Sequence, residues 1–241
     1  MINQRNRIWT VVVILTVGSF LLSCGSAVTR SPSNMSFDEW YGNWSAVIIS
    51  TAVILASFFL LTRPRRPREW QGAGLATAFF ISLFTEMFGI PLTIYLLAPL
   101  LGVEPQVFGG NESHLWAYLL SRTGVMNLEA GVYFVMVLSL GLTVIGLYLL
   151  GIGWKEVYRA QGSLVTDGLY AKMRHPQYLG LIVVVVAFLI MWPTLITLIL
   201  APFLIIRYAL LAKEEDTELE EKFGDEFRNY KERVPGFIPS S

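Results

Sequence analysis

The run of thirty uncharged residues from Gln177 to Ile206 constrains the fold of this chain more than any other feature. As one straight helix it would reach about 45 Å, whereas the hydrocarbon core of a bilayer is about 30 Å thick. Trp192-Pro193-Thr194 lies near its middle, and proline removes a backbone donor and can end a helix. The run therefore predicts two short paired helices, Pro176–Met191 and Thr194–Lys213. A single tilted, kinked helix is the alternative.

Uncharged runs recur along the rest of the chain. Of its 241 residues 15% are charged and 54% hydrophobic, whereas a soluble domain carries about 25% charged residues. The other runs are Ile8–Ser26, Trp44–Thr62, Trp70–Val103 (interrupted by Glu86) and Ala130–Trp154. Together they predict an all-α integral membrane protein of about six transmembrane helices, including the C-terminal hairpin. We divide it into an N-terminal transmembrane region, residues 1–127 with three helices and an outer loop, and a core, residues 128–241.

Basic residues flank these runs unevenly, and their placement predicts the topology. The densest basic segment is Arg63–Arg68, between the second and third runs. The other basic residues on the same predicted side are Lys155, Arg159, Lys172, Arg174 and Lys213. The opposite loops, 27–43 and 104–129, hold one arginine each. We therefore expect both termini and both ends of the hairpin on the cytoplasmic side of a cell membrane, such as the bacterial inner membrane.

The first run admits a second interpretation. A basic start, an apolar stretch and Leu21-Leu22-Ser23-Cys24 resemble a bacterial lipoprotein signal, in which the cysteine is lipidated after cleavage. An uncleaved first helix is favoured, because leucine directly before the small residue fits that signal less well and further spans follow. Cleavage or lipidation at Cys24 stays open as the alternative.

The charged segment Glu214–Arg233 follows the last apolar run. Its apolar residues recur at three- and four-residue spacing, which is typical of an amphipathic helix. They are Leu219, Phe223, Phe227 and Tyr230. We expect this helix, broken near Gly224, to lie on the cytoplasmic face, where it caps the bundle and walls a site.

Polar residues bracket the predicted hairpin and form a candidate site. Pro176 suits the first position of a helix, whose free backbone N–H groups favour an anion. Arg174 and His175 directly precede it, and Glu214-Glu215 follows the second helix. Carboxylates can bind ribose hydroxyls or an ammonium group. Together these groups predict a receptor for a polar, zwitterionic cofactor at the membrane surface.

Several motifs in this part of the chain resemble the isoprenylcysteine carboxyl methyltransferase family and its phospholipid-methyltransferase relatives. The motifs are Leu164-Val165-Thr166-Asp167-Gly168-Leu169-Tyr170, Arg174-His175-Pro176-Gln177-Tyr178-Leu179-Gly180, Glu214-Glu215, Phe223-Gly224-Asp225-Glu226-Phe227, Tyr230-Lys231 and Arg233-Val234-Pro235-Gly236-Phe237-Ile238-Pro239. The resemblance covers roughly residues 151–239. Phe227 stands where the family often has tyrosine.

The resemblance implies S-adenosylmethionine as the methyl donor and a lipophilic acceptor that enters from the bilayer. It implies that His175, Tyr178, Glu214 and Glu215 bind the donor, with Arg174 positioning them. It also implies that Gly168 and Tyr170 shape the connector loop, so that both count among the cofactor-binding residues. The simpler interpretations stay open: Arg174 as a membrane anchor, His175 as a helix cap, Tyr178 as an interfacial residue and Glu214-Glu215 as a solvated face.

Two charged residues within apolar runs are the candidate catalytic residues. Arg207 lies seven residues before Glu214, so both share one helical face, and it could orient an acceptor carboxylate or extend to the surface. Glu86 lies within an apolar run, where a carboxylate is by default a functional candidate. It could pair with Arg207, touch an acceptor headgroup or make a packing hydrogen bond in its protonated form.

Three classes of function are compatible with these features. The first is methyl transfer to a membrane-embedded acceptor, either a prenyl-cysteine-like carboxylate or a lipid amine or headgroup; the acceptor atom, O, N or S, is left open. The second is an NADPH-dependent sterol-reductase-like enzyme, and the third a transporter or membrane assembly subunit. No residue cluster with metal-ligand spacing and no basic stripe for nucleic acid is present, so we expect neither partner.

Overall fold

The structure, a computed structural model, describes residues 41–62, 67–105, 115–160 and 162–238. The first uncharged run, with Cys24, and residues 63–66 of the basic segment lie outside the described residues. The described residues form helices joined by turns, and no strand occurs among them.

The second and third uncharged runs of the sequence form helices. Helix α1 is Trp44–Thr62, the second run. The third run is divided into α2, Pro67–Phe84, and α3, Leu92–Leu101, by a π-helical turn at Thr85–Gly89. The helical segment ends at Gly89, because Pro91 follows two residues later and has no backbone N–H to continue the hydrogen bonding. The interruption that Glu86 makes in the sequence is therefore also a break in the fold.

A short helix and a long one follow. Helix α4, Leu115–Arg122, lies in the segment predicted as an outer loop. Helix α5, Leu128–Arg159, begins where the Asn127 side chain accepts from Ala130 N at 2.8 Å. Its 32 residues span about 48 Å, longer than a hydrocarbon core of about 30 Å. Its basic last turns therefore extend beyond the apolar layer.

The long C-terminal run forms two helices, α6 (Pro176–Met191) and α7 (Leu195–Phe223), which pack against each other. Trp192–Thr194 separates them. Thr194 and Thr197 form a reciprocal capping box at the start of α7, in which each side chain accepts from the backbone N–H of the other at 3.1 Å. The cap satisfies N–H groups that the helix itself leaves without partners.

The end of α7 differs from the prediction. The helix does not stop at Lys213 but runs on to Phe223, because no proline or glycine intervenes before Gly224. Gly224 has a φ of +57°, which favours glycine, and α8, Asp225–Arg233, follows it. The predicted amphipathic helix is therefore the last turns of α7 together with α8, broken at the predicted glycine.

Three helical segments within the described residues are long and apolar enough to cross a membrane: Trp70–Gly89, Leu128–Val157 and Leu195–Phe223. Shorter apolar helices are Trp44–Phe59, Leu92–Leu101 and Pro176–Met191. The chain is an integral membrane protein, and the count of six spans stays a prediction.

The two predicted regions share one apolar core. Helix α2 packs along α7, and α5 packs closely along α6. Phe79 and Leu83 of α2 and Leu204 of α7 are fully buried in this core. The boundary between residues 127 and 128 therefore describes the sequence only.

Candidate active site

Arg174 and His175 lie in the connector directly before α6 begins at Pro176. Their backbone N–H groups donate to Pro235 O at 2.9 Å and Gly236 O at 3.0 Å, respectively. The segment after α8 therefore holds the connector against the start of α6.

Asp216 on α7 joins the two side chains. Its Oδ1 lies 2.8 Å from His175 Nε2, and its two oxygens accept from Arg174 Nε at 3.1 Å and Nη2 at 2.8 Å. Arg174 Nη1 also donates to the carbonyl oxygens of Lys231 and Val234. Because a carboxylate only accepts, His175 Nε2 carries the hydrogen of its pair. Asp216 thus fixes the imidazole ring and, through Arg174, ties α7 to the C-terminal segment.

The other ring nitrogen of His175 faces Glu215. The residue is 2% exposed, and its Nδ1 makes no hydrogen bond to any described residue; Glu215 Oε2 is 3.8 Å away. Glu215, with a third of its side chain exposed, accepts from Gln177 Nε2 at 3.3 Å and from the Tyr178 hydroxyl. Buried polar atoms in proteins are nearly always hydrogen-bonded. A buried nitrogen beside an accessible carboxylate is therefore a candidate place for a polar ligand.

The acidic pair is divided between two clusters. Successive residues of a helix point about 100° apart, so Glu214 and Glu215 face different neighbours. Glu214 Oε1 lies 3.4 Å from Nη1 of Arg207, whose side chain is 14% exposed. Glu215 lies with His175. The structure thus brings Arg207 to Glu214, as their seven-residue spacing predicts, but does not join both carboxylates in one cluster.

Tyr170, which lies in the connector before α6, supports the site through two hydrogen bonds. Its hydroxyl donates to Gln177 Oε1 at 2.9 Å, and its carbonyl oxygen accepts from the Tyr230 hydroxyl at 2.6 Å. Burial raises the pKa of both hydroxyls well above the usual value, so both stay protonated donors at neutral pH. Tyr170 therefore positions Gln177, which in turn donates to Glu215.

The surroundings of Gly168 leave no room for a side chain. Its φ is +63°, and a Cβ at this position would lie 2.3 Å from Glu156 Oε1 on α5. The Glu156 carboxylate accepts from the backbone N–H of Leu169. The connector is thus fastened to α5 at a point where no side chain fits.

We expect Gly168→Ala to lower the thermal midpoint in detergent more than Gly102→Ala does. Gly102 has a φ of +66°, close to that of Gly168, and a Cβ there meets nothing within 4 Å. An alanine at Gly102 carries a similar backbone strain of about 1–2 kcal/mol, so the difference between Gly168→Ala and Gly102→Ala reports the clash with Glu156. Adding Glu156→Ala to Gly168→Ala should recover part of the loss. Equal midpoints for the two glycine variants would contradict the clash.

Glu86 does not reach this site, which corrects its assignment as a catalytic residue. Its Oε2 accepts from Thr93 N at 2.7 Å, and Thr93 Oγ1 accepts from Leu195 N at 2.8 Å, at the far end of the hairpin. The 16 residues of α6 separate that end from His175 by about 24 Å. The proposed pairing with Arg207 is also absent, since Arg207 pairs with Glu214.

A partly open apolar cavity lies between α1, α2, α5, α6 and α7 and encloses about 470 Å³ together with the open space at its mouth. Tyr208 forms part of its wall, and the Tyr208 ring centroid is 6.4 Å from that of Tyr178. The Tyr178 ring lies 5.9 Å from the His175 ring. A row of rings therefore links the apolar cavity to the polar cluster.

Asp216 and Gln177 are site residues that the sequence analysis missed. The apolar periodicity of α7 could have identified Asp216, because Leu204, Tyr208 and Ala212 are buried at four-residue intervals and the next step is Asp216. Gln177 offered no comparable signal, since a glutamine in the first turn of a helix is usually exposed.

The fold defines an integral membrane protein with a cluster of buried polar residues at one end of a helical hairpin. Residues 132–221 match the model of the isoprenylcysteine carboxyl methyltransferase (ICMT) family. Over these residues the chain is similar to that family, and the match confirms the resemblance predicted from the motifs between Leu164 and Glu215. The family implies methyltransferase activity, and its members use S-adenosylmethionine. No curated protein and no solved structure matches the chain significantly.

Proposed function

We propose that the protein transfers a methyl group from S-adenosylmethionine to a lipophilic acceptor in the membrane. The observation that carries this proposal is the orientation of His175. Asp216 binds its Nε2 at 2.8 Å and leaves the buried Nδ1 facing Glu215, with no hydrogen-bond partner among the described residues. This arrangement leaves one nitrogen and one carboxylate for a ligand.

The donor has groups that match those of the site. S-adenosylmethionine carries a carboxylate, an ammonium and ribose hydroxyls, and the residues that would hold it are His175, Tyr178 and Glu215. When bound, it would supply a methyl group on a sulfonium: the acceptor atom would bond to the methyl carbon as the carbon–sulfur bond breaks, and S-adenosylhomocysteine would leave. Arg174 acts as a positioning residue because it clamps Asp216 and the C-terminal segment together. The chain's own contribution is to align the two reactants and exclude water.

The acceptor side of the proposal rests on the apolar cavity. A lipophilic chain in this cavity would have its polar end near Tyr208 and Tyr178, beside the donor-binding residues. Arg207 precedes Tyr208 on α7 and is largely buried, and we assign it the role of orienting the polar end of the acceptor together with Glu214. The chemistry supports an O, N or S nucleophile equally.

The orientation in the membrane follows from the basic residues at the same end of the bundle. Lys155 and Arg159 end α5, and Lys172 and Lys213 flank the hairpin. Because such residues favour the cytoplasmic side, we infer that the site opens to the cytoplasm, where S-adenosylmethionine is available. A bacterial inner membrane is the proposed location.

The replacement His175→Gln tests the donor site. Glutamine can keep a donor at the position of Nε2, and so the bond to Asp216, but it has no group at Nδ1. We expect the purified variant to keep its thermal midpoint in detergent and to bind S-adenosylmethionine at least about tenfold more weakly in calorimetry. Asn229→Ala, at an exposed position of α8, serves as the control.

Unchanged affinity in His175→Gln would contradict the assignment of the donor site. Protein that binds NADPH and ignores S-adenosylmethionine would instead be reductase-like, and protein that binds neither would be non-enzymatic. Mass spectrometry of membrane lipids after expression, which compares wild type with His175→Gln, should reveal a species that is one methyl group heavier only with the wild type. That species would identify the acceptor.

A further inference from the structure

A second cleft lies at the opposite end of the hairpin from the candidate active site. Together with the open space at its mouth it encloses about 370 Å³, and it is lined by the π-helical turn, α3, the start of α4 and the turn between α6 and α7. Its walls are mostly apolar, and Leu97, Leu115 and Trp192 belong to them. Glu86 supplies a carboxylate to this lining.

Glu86 is buried with only half of its hydrogen-bonding capacity used. It is 4% exposed; its Oε2 accepts from Thr93 N at 2.7 Å, whereas its Oε1 makes no hydrogen bond to any described residue. Within the described ranges no lysine or arginine pairs with it. A carboxylate with a purely structural role would be expected to have both oxygens satisfied.

The other polar side chains of the cleft already accept hydrogen bonds from backbone N–H groups. Thr93 Oγ1 accepts from Leu195 N at 2.8 Å. Thr194 Oγ1 accepts from Thr197 N at 3.1 Å, within the capping box. Among these side chains the acceptor left without a partner is therefore Glu86 Oε1, and the Thr93 hydroxyl keeps its own hydrogen as a donor. A π-helical turn, such as the one that carries Glu86, is often found at functional sites.

We propose that this cleft binds a primary ammonium group attached to a short carbon chain. The N–H donors of the ammonium would satisfy Glu86 Oε1, and its charge would offset the burial of the carboxylate. The apolar walls would contact the attached carbons. A hard metal ion would need about six or more oxygen ligands, and a quaternary ammonium has no hydrogen to donate. Ethanolamine, free or as the headgroup of an aminophospholipid, has the required chemistry.

The test compares small ligands on the full-length protein in detergent. Ethylammonium and ethanolamine should raise the thermal midpoint of the wild type, whereas tetramethylammonium at equal ionic strength and neutral ethanol should have much smaller effects. Equal stabilisation by tetramethylammonium would overturn the proposal, and so would preferential binding of ethanol. These measurements require no variant and therefore hold even where a substitution prevents folding.

Two matched variants locate the binding. Glu86→Gln keeps the shape of the side chain and an acceptor for Thr93 N, and should weaken ethylammonium binding at least about tenfold. Glu104→Gln, at an exposed position just beyond α3, should bind as the wild type does. Unchanged binding in Glu86→Gln would overturn the proposal.

Lipid nanodiscs distinguish the two sources of the ammonium. Stabilisation by phosphatidylethanolamine over phosphatidylcholine, lost in Glu86→Gln, would identify a lipid headgroup. Stabilisation by free ethanolamine without any effect of phosphatidylethanolamine would identify a soluble amine. The absence of both effects would overturn the proposal, and methyl transfer at the other end of the hairpin would be unaffected.

Discussion

Asp216→Asn should lower the thermal midpoint in detergent, because breaking a buried charge pair costs roughly 3–5 kcal/mol. It should also weaken the binding of S-adenosylmethionine at least about tenfold, because the ring that faces the donor loses its fixed support. The carboxylate receives three hydrogen bonds, one from His175 and two from Arg174. An amide has one acceptor oxygen and no charge: its oxygen can replace Oδ1, but its NH₂ group then faces Arg174 Nη2, which loses its acceptor. Arg174 is left largely buried without its counter-charge, and a shift of its guanidinium loosens the imidazole ring that shares Oδ1 with it.

The measurements are calorimetric affinity, the rate of methyl transfer and the thermal midpoint in detergent. Asp225→Asn is the matched control, because Asp225 is 87% exposed and pairs with Arg228 at 2.8 Å. An exposed pair of this kind contributes about 0–1 kcal/mol, so that variant should behave as the wild type. Wild-type affinity in Asp216→Asn would show that the orientation of His175 does not determine donor binding.

The sequence predicted the helices of this protein better than it predicted the contacts of the site. Uncharged runs and prolines are local features, and they identified α1 residue for residue and the break at Trp192–Thr194. The end of α7 was missed because the change from apolar to charged residues suggested a boundary. Helix continuity depends on the absence of a breaker, and the first one after Lys213 is Gly224.

The site was only partly predictable, because the sequence does not show how α7 is rotated about its own axis. The motifs directed attention to one stretch of α7, but whether Glu214, Glu215 or Asp216 faces His175 depends on the packing of α7 against α6. For Glu86 the sequence identified the residue but not its place in the fold. Its charge marked it as unusual, but only the tertiary structure reveals that it lies about one helix length from the site and borders a different cleft.

Gly146→Ala should separate the two helices that carry the site. A Cβ at Gly146 would lie 2.8 Å from Gly180 O and 2.8 Å from Val184 Cγ2 on α6, and the backbone oxygen cannot rotate away. Small residues allow the backbones of membrane helices to approach closely, and here Gly146 of α5 and Gly180 of α6 lie opposite each other. Forcing an atom into such a contact costs about 1–3 kcal/mol, so we expect a lower thermal midpoint.

Gly141→Ala on the same helix is the matched control, because nothing lies within 4 Å of a Cβ there. Without a clash, alanine favours a helix over glycine by about 0.5–1 kcal/mol, so this variant should be unchanged or slightly more stable. The start of α6 carries Gln177, whose side chain accepts from Tyr170 and donates to Glu215. A displacement of α6 should therefore lower donor affinity together with stability in Gly146→Ala. Stability lost without any change in affinity would mean that Gln177 keeps its position when α6 is displaced at Gly180.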